Sequence, residues 1–251
     1  MNRFDLSGKS AVVTGANTGI GQAIAVALAE AGANVVAVGR SAMDETEALC
    51  APCGTGFLAL EADLATTEPI KRIMRSAEER FGRVDILVNN AGIIRRADAL
   101  DFTEEDWDAV LDVNLRSAFF LAQAAGRRMI GDGGGGKIVN VASLLSFQGG
   151  IRVASYTAAK SGLAGITRLL ANEWAARGVN VNAIAPGYIQ SNNTAALIAD
   201  PKRSADILAR IPAGRWGKPQ DIGGAAVFLS SAAADFIHGI LLPVDGGWLA
   251  R

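Results

Sequence analysis

The sequence predicts an α/β protein whose parallel β-sheet is covered by helices on both faces. Short runs rich in valine and isoleucine alternate along the chain with helical patterns. These runs are apolar on both faces, as in strands that are buried between two layers of helices. Because helices separate successive strands, hairpin pairing is excluded and the strands must pair in parallel through right-handed crossovers. We find no linker or shift in composition, so we expect one domain over residues 1–251.

The first predicted unit is a strand, a tight turn and a helix. An apolar strand over residues 10–13 runs into Thr14 and Gly15, and a helical pattern over residues 21–31 ends at Gly32. Glycine often follows the last turn of a helix because it adopts the left-handed conformation without strain. The unit recurs to give about seven strands in a doubly wound, Rossmann-type sheet. The other strands are residues 34–38, 57–61, 85–88, 137–141, 180–184 and 240–244, and the other helices are residues 68–80, 103–129 and 155–177.

One later segment departs from this regular alternation. Residues 188–204 are rich in asparagine, serine and alanine. Such a segment suits a substrate lid, which we place at about residues 188–210, although a plain surface helix explains it equally well.

Composition and charge exclude several classes of function. With 24 basic and 25 acidic residues the formal net charge is -1, so no positive field attracts nucleic acid or an anionic membrane. The first ten residues lack the apolar core of a secretory signal, and no stretch is apolar for long enough to span a membrane. We therefore expect a cytoplasmic protein that acts on a small molecule.

The cysteines and the histidine do not indicate a metal or redox site. Cys50 and Cys53 form a Cys-x-x-Cys motif, but it follows a helical pattern in a stretch broken by proline and glycine. A redox motif instead follows a strand and opens a helix. Together with His238, the single histidine, the two thiols are too few for a closed zinc site. We expect no bound metal.

A glycine-rich turn joins the first strand to the first helix. Its residues include Gly15, Asn17, Thr18, Gly19 and Gly21. Glycine lets main-chain N–H groups approach a pyrophosphate at the positive end of a helix. The spacing is Gly-x-x-x-Gly-x-Gly rather than the usual Gly-x-Gly-x-x-Gly fingerprint of dinucleotide-binding proteins, so a tight turn with close helix packing is the alternative interpretation.

The residues after the second predicted strand favour NADP over NAD. Gly39 and Arg40 stand where an acidic residue would bind the adenosine ribose hydroxyls of NAD. An arginine can instead pair with the 2′-phosphate of NADP and stack on adenine. Thr18 supplies no second positive charge, and Asp44 and Glu45 lie close by in the sequence, so NAD remains the alternative.

Further polar and small residues stand at the same edge of the predicted sheet. Asp63 follows the third strand, and Asn90, Ala91 and Gly92 follow the fourth. A carboxylate can accept a hydrogen bond from the adenine amino group, and a small loop can pass a ribose. A helix cap or a turn explains these residues as well.

A tyrosine and a lysine lie one helical turn apart. Tyr156 and Lys160 fall within a helical pattern, so both side chains stand on one face. An ammonium about 4 Å from a phenol, at an effective dielectric of about 20, favours the phenolate by roughly 4 kcal/mol. We therefore expect Lys160 to lower the pKa of Tyr156 toward the range in which it can act as a general acid and base.

Two more polar residues are candidates for the same site. Ser143 follows the fifth strand, thirteen residues before Tyr156, where its hydroxyl can hold a reacting oxygen. With no nucleophile elbow and a single histidine, a serine hydrolase is a poor interpretation. Asn114 interrupts a helical pattern, which is easier to explain if its amide bonds inside the fold.

Together these motifs resemble the short-chain dehydrogenase/reductase family, in order and in spacing, over essentially all 251 residues. The residues that carry the resemblance are Thr14, Gly15, Gly19, Ile20, Gly21, Asn89, Asn90, Ala91, Gly92, Asn114, Ser143, Tyr156, Lys160, Pro186 and Gly187.

The resemblance implies a catalytic tetrad and a nicotinamide cofactor. Tyr156 would exchange the substrate proton, and Ser143 would orient the substrate oxygen. Lys160 would lower the pKa of Tyr156 and bind the nicotinamide ribose, and Asn114 would hold a water that relays protons through Lys160. It further implies cofactor contacts by Ile20, by Asp63 and Leu64 around adenine, by Asn90 at a ribose, and by Pro186, Gly187, Ile189 and Ser191 at the carboxamide end.

A closer resemblance is to the subgroup that acts on six-carbon deoxy sugar acids of the 2-deoxy-D-gluconate or 2-dehydro-3-deoxy-D-gluconate type. It is carried by residues 91–96, 145–153, 192–194 and 244–251. A sugar acid needs cations for its carboxylate and amides for its hydroxyls, which Arg95, Arg152, Gln148 and Asn193 could supply, together with Ser143 and Tyr156. Loop arginines are also often merely solvated. Members of this subgroup are usually NAD enzymes, whereas Arg40 favours NADP.

Two other functions remain as alternatives. A 3-oxoacyl thioester reductase, or another small-alcohol dehydrogenase, would use the same chemistry, but a long acidic carrier needs a basic patch that we do not find. The second alternative is a protein that binds the cofactor as a sensor and catalyses no reaction. The family commonly forms homotetramers, and the small apolar residues of 155–177 and the exposed-looking Trp248 and Leu249 agree with that.

Overall fold

The computed structural model describes residues 2–251 and contains a sheet of seven parallel strands. Their order across the sheet is β3-β2-β1-β4-β5-β6-β7, so the chain starts at the centre, winds to one side and then crosses to the other. The predicted doubly wound fold is confirmed. The strands are β1 (Ser10–Thr14), β2 (Asn34–Gly39), β3 (Phe57–Glu61), β4 (Ile86–Asn89), β5 (Gly136–Val141), β6 (Val179–Pro186) and β7 (Leu241–Val244).

Helices cover both faces of this sheet. They are α1 (Gly19–Glu30), α2 (Asp44–Cys50), α3 (Ile70–Phe81), α4 (Glu104–Leu111), α5 (Ser117–Gly131), α6 (Ala154–Trp174), α7 (Ala195–Ala199), α8 (Pro201–Leu208) and α9 (Gln220–Ser230). Helices α1 and α9 pack together on one face, and α3, α5 and α6 lie on the other. Within residues 2–251, no helix has both the length and the hydropathy to cross a bilayer.

The central strand contributes side chains to two separate cores. Val12 belongs to the core that contains Ile73 and Leu121, whereas Val13 belongs to the core that contains Ile24. Successive residues of a strand point to opposite faces, so an apolar run serves both. Each fully buried side chain of this size contributes about 1.5–3 kcal/mol. The two cores hold the carboxyl ends of the central strands in place.

Several helical regions differ from their predicted bounds. The helix predicted over residues 103–129 is interrupted by a π-helical turn at Asp112–Arg116, and the first helix begins at Gly19. Helix α9 was not predicted because Gly223 and Gly224 weaken its pattern. A Cβ on Gly223 would lie 2.8 Å from Cβ of Ala27, so this glycine serves the close packing of α9 on α1.

The segment expected to form a lid consists mainly of two short helices, α7 and α8. Asp200 begins α8 by accepting hydrogen bonds from the main-chain N–H groups of Lys202 at 3.0 Å and Arg203 at 3.1 Å. Pro201 stands at the first helical position, which suits its fixed backbone angle. The segment is therefore largely helical, and helices can serve as a lid as well as a plain surface.

The carboxyl-terminal tail packs on the same chain. Trp248 is 4% exposed and belongs to a small core with Ile207 and Ile211. Its ring centre lies 4.7 Å from that of Tyr188. The expectation that Trp248 is exposed and needs a partner subunit is wrong, because the side chain is buried in this core. No pattern in the sequence indicated that core.

Candidate active site

Two adjoining cavities lie at the carboxyl edge of the sheet. A groove of about 380 Å³ crosses the ends of β1, β2, β3 and β4. A second cavity, of about 340 Å³, lies over the ends of β5 and β6. Ile94 and Asn193 line both, so the cavities meet. Ligands of doubly wound sheets bind at this edge.

The glycine-rich turn leaves the amino end of α1 bare. Gly15 and Gly19 have φ angles of 65° and 58°, in the left-handed region that favours glycine. Thr18 precedes the helix in an extended conformation, and its side chain does not cap the helix. A Cβ on Gly19 would project into open space, with the Cβ of Ser191 nearest at 3.9 Å. The turn, which lines the groove together with Asn17 and Ile20, therefore fits a pyrophosphate.

Hydrogen bonds between the ends of β1 and β4 shape the floor of the groove. The hydroxyl of Thr14 accepts from the main-chain N–H groups of Asn90 and Ala91, both at 3.0 Å. The amide Nδ2 of Asn90 donates back to the carbonyl oxygens of Thr14 at 2.9 Å and Gly15 at 3.2 Å. A Cβ on Gly21 would lie 2.1 Å from the Gly15 oxygen, so this position requires glycine. The sequence argument missed the role of Thr14.

Arg40 lines the far end of the groove with an exposed side chain. Next to it, Nδ2 of Asn17 donates to Oγ of Ser41 at 2.9 Å. None of the ion pairs within residues 2–251 includes Arg40, so neither Asp44 nor Glu45 neutralises it. Its guanidinium is available for an anionic group in the groove.

The other predicted cofactor residues do not all face the groove. Residues Gly39, Asp63, Leu64, Gly92 and Ser191 line it, as expected. Pro186 and Gly187 line the second cavity instead. The Ile189 side chain is packed in a core and lines neither cavity, because it is turned toward Gly217.

Ser143, Tyr156 and Lys160 meet at the second cavity. Ser143 and Tyr156 both line it, and the Ser143 hydroxyl is near enough to the phenol to lower its pKa. Lys160 is buried one helical turn further along α6, and its Nζ donates to the Val141 carbonyl oxygen at 2.7 Å. The same Nζ lies 5.6 Å from the centre of the Tyr156 ring.

The expected lowering of the Tyr156 pKa by Lys160 is not observed. Burial raises the pKa of the Tyr156 hydroxyl above its usual value, while the hydrogen bond from Ser143 and the charge of Arg96 lower it. Burial also lowers the pKa of Lys160 to about 8. Burial has the largest effect on this phenol, and it outweighs the two groups that lower the pKa. The Lys160 ammonium donates to the Val141 carbonyl oxygen and is not among the groups that lower the pKa of Tyr156.

Asn114 lies in the π-helical turn and bonds inside the fold. It is 1% exposed. Its Oδ1 accepts from the main-chain N–H of Ile93 at 2.8 Å, and its Nδ2 donates to the Ile93 carbonyl oxygen at 2.9 Å. The amide therefore holds the loop that lines both cavities.

The structure does not bring Arg95 and Arg152 into the second cavity. Arg95 lines the cofactor groove and pairs with Asp106 at 3.0 Å. Arg152 pairs with Asp98 at 3.1 Å and lines neither cavity. Each guanidinium is held by an acidic partner, Asp106 in α4 for Arg95 and Asp98 in a loop for Arg152. The prediction that these two arginines bind the substrate is therefore corrected.

Three other arginines line the second cavity: Arg96, Arg203 and Arg210. Asp206, Gln148 and Asn193 line it too, and the last two were predicted. The sequence argument missed Arg203 and Arg210, although residues 203, 206, 207 and 210 recur at the spacing of one helix face. The cavity thus combines several cations with hydrogen-bonding groups.

The cysteines fit a structural role. Cys50 and Cys53 are free thiols. Burial raises the pKa of Cys50 to about 11, whereas a reactive thiol needs a lowered pKa. Within residues 2–251, no three histidine, cysteine, aspartate or glutamate side chains cluster as metal ligands would.

Comparison with known proteins agrees with this geometry. The family model described as enoyl-(acyl carrier protein) reductase matches residues 15–249. The chain is 55% identical over 251 residues to the 2-dehydro-3-deoxy-D-gluconate 5-dehydrogenase of Escherichia coli K12. The aligned region covers 100% of this chain and 99% of that relative.

Solved structures are similar over the whole chain. A protein from Agrobacterium tumefaciens, assigned as a 2-deoxy-D-gluconate 3-dehydrogenase and solved with bound NADP, is 61% identical, with a TM-score of 0.95 and coverage of 100% of both chains. The gluconate 5-dehydrogenase of Burkholderia cenocepacia, in complex with NADP and tartrate, is 40% identical, with a TM-score of 0.92 and coverage of 100% of this chain and 98% of that one. The chain therefore belongs to the short-chain dehydrogenase/reductase family of oxidoreductases.

Proposed function

We propose that this protein is an NADP-dependent oxidoreductase that acts on a six-carbon deoxy sugar acid. The observation that carries the proposal is the cluster of Arg96, Arg203 and Arg210 in the cavity that contains Tyr156. A sugar acid presents a carboxylate and several hydroxyls, and a cavity with guanidinium groups and amides matches both. The names of the relatives from E. coli and B. cenocepacia, and the tartrate bound to the latter, support an acidic substrate.

The groove supports NADP as the cofactor. The bare amino end of α1 would hold the pyrophosphate, and Arg40 would pair with the 2′-phosphate that distinguishes NADP from NAD. Asp63 and Leu64 would flank the adenine, and Ser191 would contact the nicotinamide end. When bound, the cofactor accepts or supplies a hydride at C4 of its nicotinamide ring. The NADP found in two related structures agrees with this assignment.

Tyr156 moves the proton that accompanies hydride transfer. In oxidation its phenolate oxygen accepts the proton of the substrate hydroxyl, and in reduction its hydroxyl donates a proton to the carbonyl oxygen. Ser143, which lines the same cavity as Tyr156, holds the reacting oxygen in place. The positive charge of Arg96 favours the phenolate.

Lys160 and Asn114 complete the tetrad of the family. As the family resemblance implies, Lys160 would bind the nicotinamide ribose and would pass protons toward solvent through a water held at Asn114. Because both amide atoms of Asn114 also bond the backbone of Ile93, this residue keeps the loop between the two cavities in place.

We also propose a homotetramer of single-domain subunits, each with a lid at residues 188–210. Helices α4, α5 and α6 carry large apolar side chains that are partly exposed, namely Trp107 at 38%, Phe120 at 40% and Leu169 at 48%. Such a surface is typical of an interface between subunits. Light scattering should give four times the mass of the chain, and a monomer would contradict the proposal.

Initial rates on a small panel of substrates test the function. The panel contains 2-deoxy-D-gluconate, 2-dehydro-3-deoxy-D-gluconate and simple 3-oxoacyl thioesters, each with NADP(H) and NAD(H). Turnover of a sugar acid with NADP(H) is expected. Turnover only with NAD(H) would refute the proposed role of Arg40. Turnover only of the thioesters would refute the proposed sugar-acid substrate. Activity that Tyr156→Phe abolishes would exclude a cofactor sensor without turnover.

A further inference from the structure

We propose that Arg210 is the anchor for the substrate carboxylate and that Trp248, in the last turn of the chain, positions it. This inference rests on the proposed sugar-acid function and assigns its specificity to two residues. The guanidinium carbon of Arg210 lies 4.0 Å from the centre of the Trp248 ring. Both side chains line the second cavity.

The stacked geometry leaves the guanidinium free to bind an anion. Stacking occupies one face of the planar group, while its N–H bonds point outward in the plane and can bind both oxygens of a carboxylate. No ion pair within residues 2–251 includes Arg210. Arg210 therefore has a guanidinium whose orientation is fixed by stacking and whose charge is not paired with an acidic side chain of residues 2–251.

Trp248 is itself held on several sides. It is 4% exposed, it packs on Tyr188, and its Nε1 donates to Oε1 of Gln148 at 3.4 Å. Asp245 accepts hydrogen bonds from the main-chain N–H groups of Gly247 and Leu249, both at 2.9 Å, which fixes the turn around the indole. The indole is thus a fixed platform for a long and otherwise flexible side chain.

The other two arginines of the cavity are less suited to this role. Arg96 donates to the main-chain oxygen of Asn193 at 2.9 Å, and its charge acts on Tyr156, so it belongs to the reacting end of the cavity. Arg203, in the first turn of α8, has no aromatic platform, whereas Arg210 stacks on Trp248.

Asp206 favours one orientation of the substrate in the cavity. It lies in α8, four residues before Arg210, and lines the same cavity, where its carboxylate can accept hydrogen bonds from sugar hydroxyls and repels a second anion. The carboxylate of the substrate would then pair with Arg210, and its hydroxyls would bond Asp206.

Calorimetric titration of the NADP-loaded protein tests the anchor without depending on turnover. The two probes are D-gluconate and its neutral counterpart D-glucitol, which differ at C1 only. Arg210→Gln should weaken D-gluconate binding roughly 10- to 100-fold, the usual effect of losing a charge-assisted bond, with D-glucitol unaffected. Arg210→Lys should recover only part of the affinity, because an ammonium neither stacks nor binds both oxygens. Arg177→Gln, at an exposed site outside both cavities, is the matched control.

A double-mutant cycle tests whether Trp248 acts through Arg210. Trp248→Leu should weaken D-gluconate binding roughly 3- to 30-fold, and Trp248→Phe less, since phenylalanine keeps an aromatic face. In the Arg210→Gln background the Trp248→Leu change should cause no further loss. If Trp248→Leu does not fold, Trp248→Phe replaces it in the double-mutant cycle with Arg210→Gln.

Three results would overturn the proposal. They are a wild-type protein that does not bind D-gluconate, an Arg210→Gln variant within twofold of wild type, and equal losses for D-gluconate and D-glucitol. A wild-type protein that binds D-gluconate through Arg210 but turns over no sugar acid would refute the proposed function and leave the anchor supported.

Discussion

Replacement of Asn114 by alanine should loosen the loop that separates the two cavities. The change removes both hydrogen bonds to Ile93, at 2.8 and 2.9 Å, and leaves a main-chain N–H and a carbonyl without their partner. An unsatisfied buried group costs about 1–3 kcal/mol. Because Ile93 is half-buried, water can reach part of its backbone, so the lower half of that range applies to each group.

The expected loss is therefore about 2–4 kcal/mol in the free energy of unfolding. For a chain of this size each 1 kcal/mol lowers the melting temperature by about 2–4 °C, which gives a decrease of roughly 4–16 °C. Thermal unfolding at a fixed protein concentration measures it. Asn172→Ala, at an exposed position of α6, is the matched control and should stay within about 0.5 kcal/mol of wild type.

The same variant should also bind NADPH less tightly. The released loop carries Asn90, Ala91 and Gly92, which line the cofactor groove. NADPH fluorescence titration measures this loss. If Asn114→Ala lowered kcat while the melting temperature and the NADPH affinity stayed at wild-type values, Asn114 would act only in proton relay and the clamp argument would be refuted.

Three further predictions concern the chemistry and the cofactor. Tyr156→Phe should lower kcat by about 10²- to 10⁴-fold with NADPH binding retained, because only the proton-transferring hydroxyl is lost; substantial residual turnover in steady-state assays would count against Tyr156 as the acid and base. Arg40→Asp should lower the ratio of kcat/KM for NADP to that for NAD by roughly 10-fold or more, because the carboxylate of aspartate repels the 2′-phosphate that the guanidinium of Arg40 binds. An unchanged ratio would contradict the assignment of Arg40. Arg96→Gln should move the ascending limb of the pH profile for oxidation to higher pH, because removing a positive charge raises the pKa of Tyr156 and a higher pH is then needed to form the phenolate; a pH profile that overlays that of the wild type would remove Arg96 from this role.

The parts of the site that were predictable lie on short, regular stretches of chain. Tyr156 and Lys160 are one turn apart on a helix, so their spacing alone places them on one face. Gly15 and Gly19 bound a strand-to-helix turn whose geometry depends on few residues. Local periodicity was also sufficient for the seven strands, since burial on both faces leaves a continuous apolar run.

The substrate cavity could not be predicted in the same way because loops and tertiary packing form it. Arg95 and Arg96 are adjacent, and the conformation of one loop decides that the first pairs with Asp106 while the second reaches the cavity. No sequence pattern specifies that conformation. Likewise, the contact of Arg210 with Trp248 joins two distant segments, and only the folded chain shows it.

The burial of Lys160 has a consequence for chemical labelling. With a pKa of about 8, half of its amino groups are neutral at pH 8, whereas an ordinary lysine is neutral in only about one molecule in 300. Lys160 is therefore intrinsically nucleophilic but sterically shielded, at 3% exposure. An amine-directed acylating reagent should modify it at a rate set by transient opening around α6. The acylation rate of this one side chain would thus report how often the catalytic centre opens, and how far a bound dinucleotide suppresses that opening.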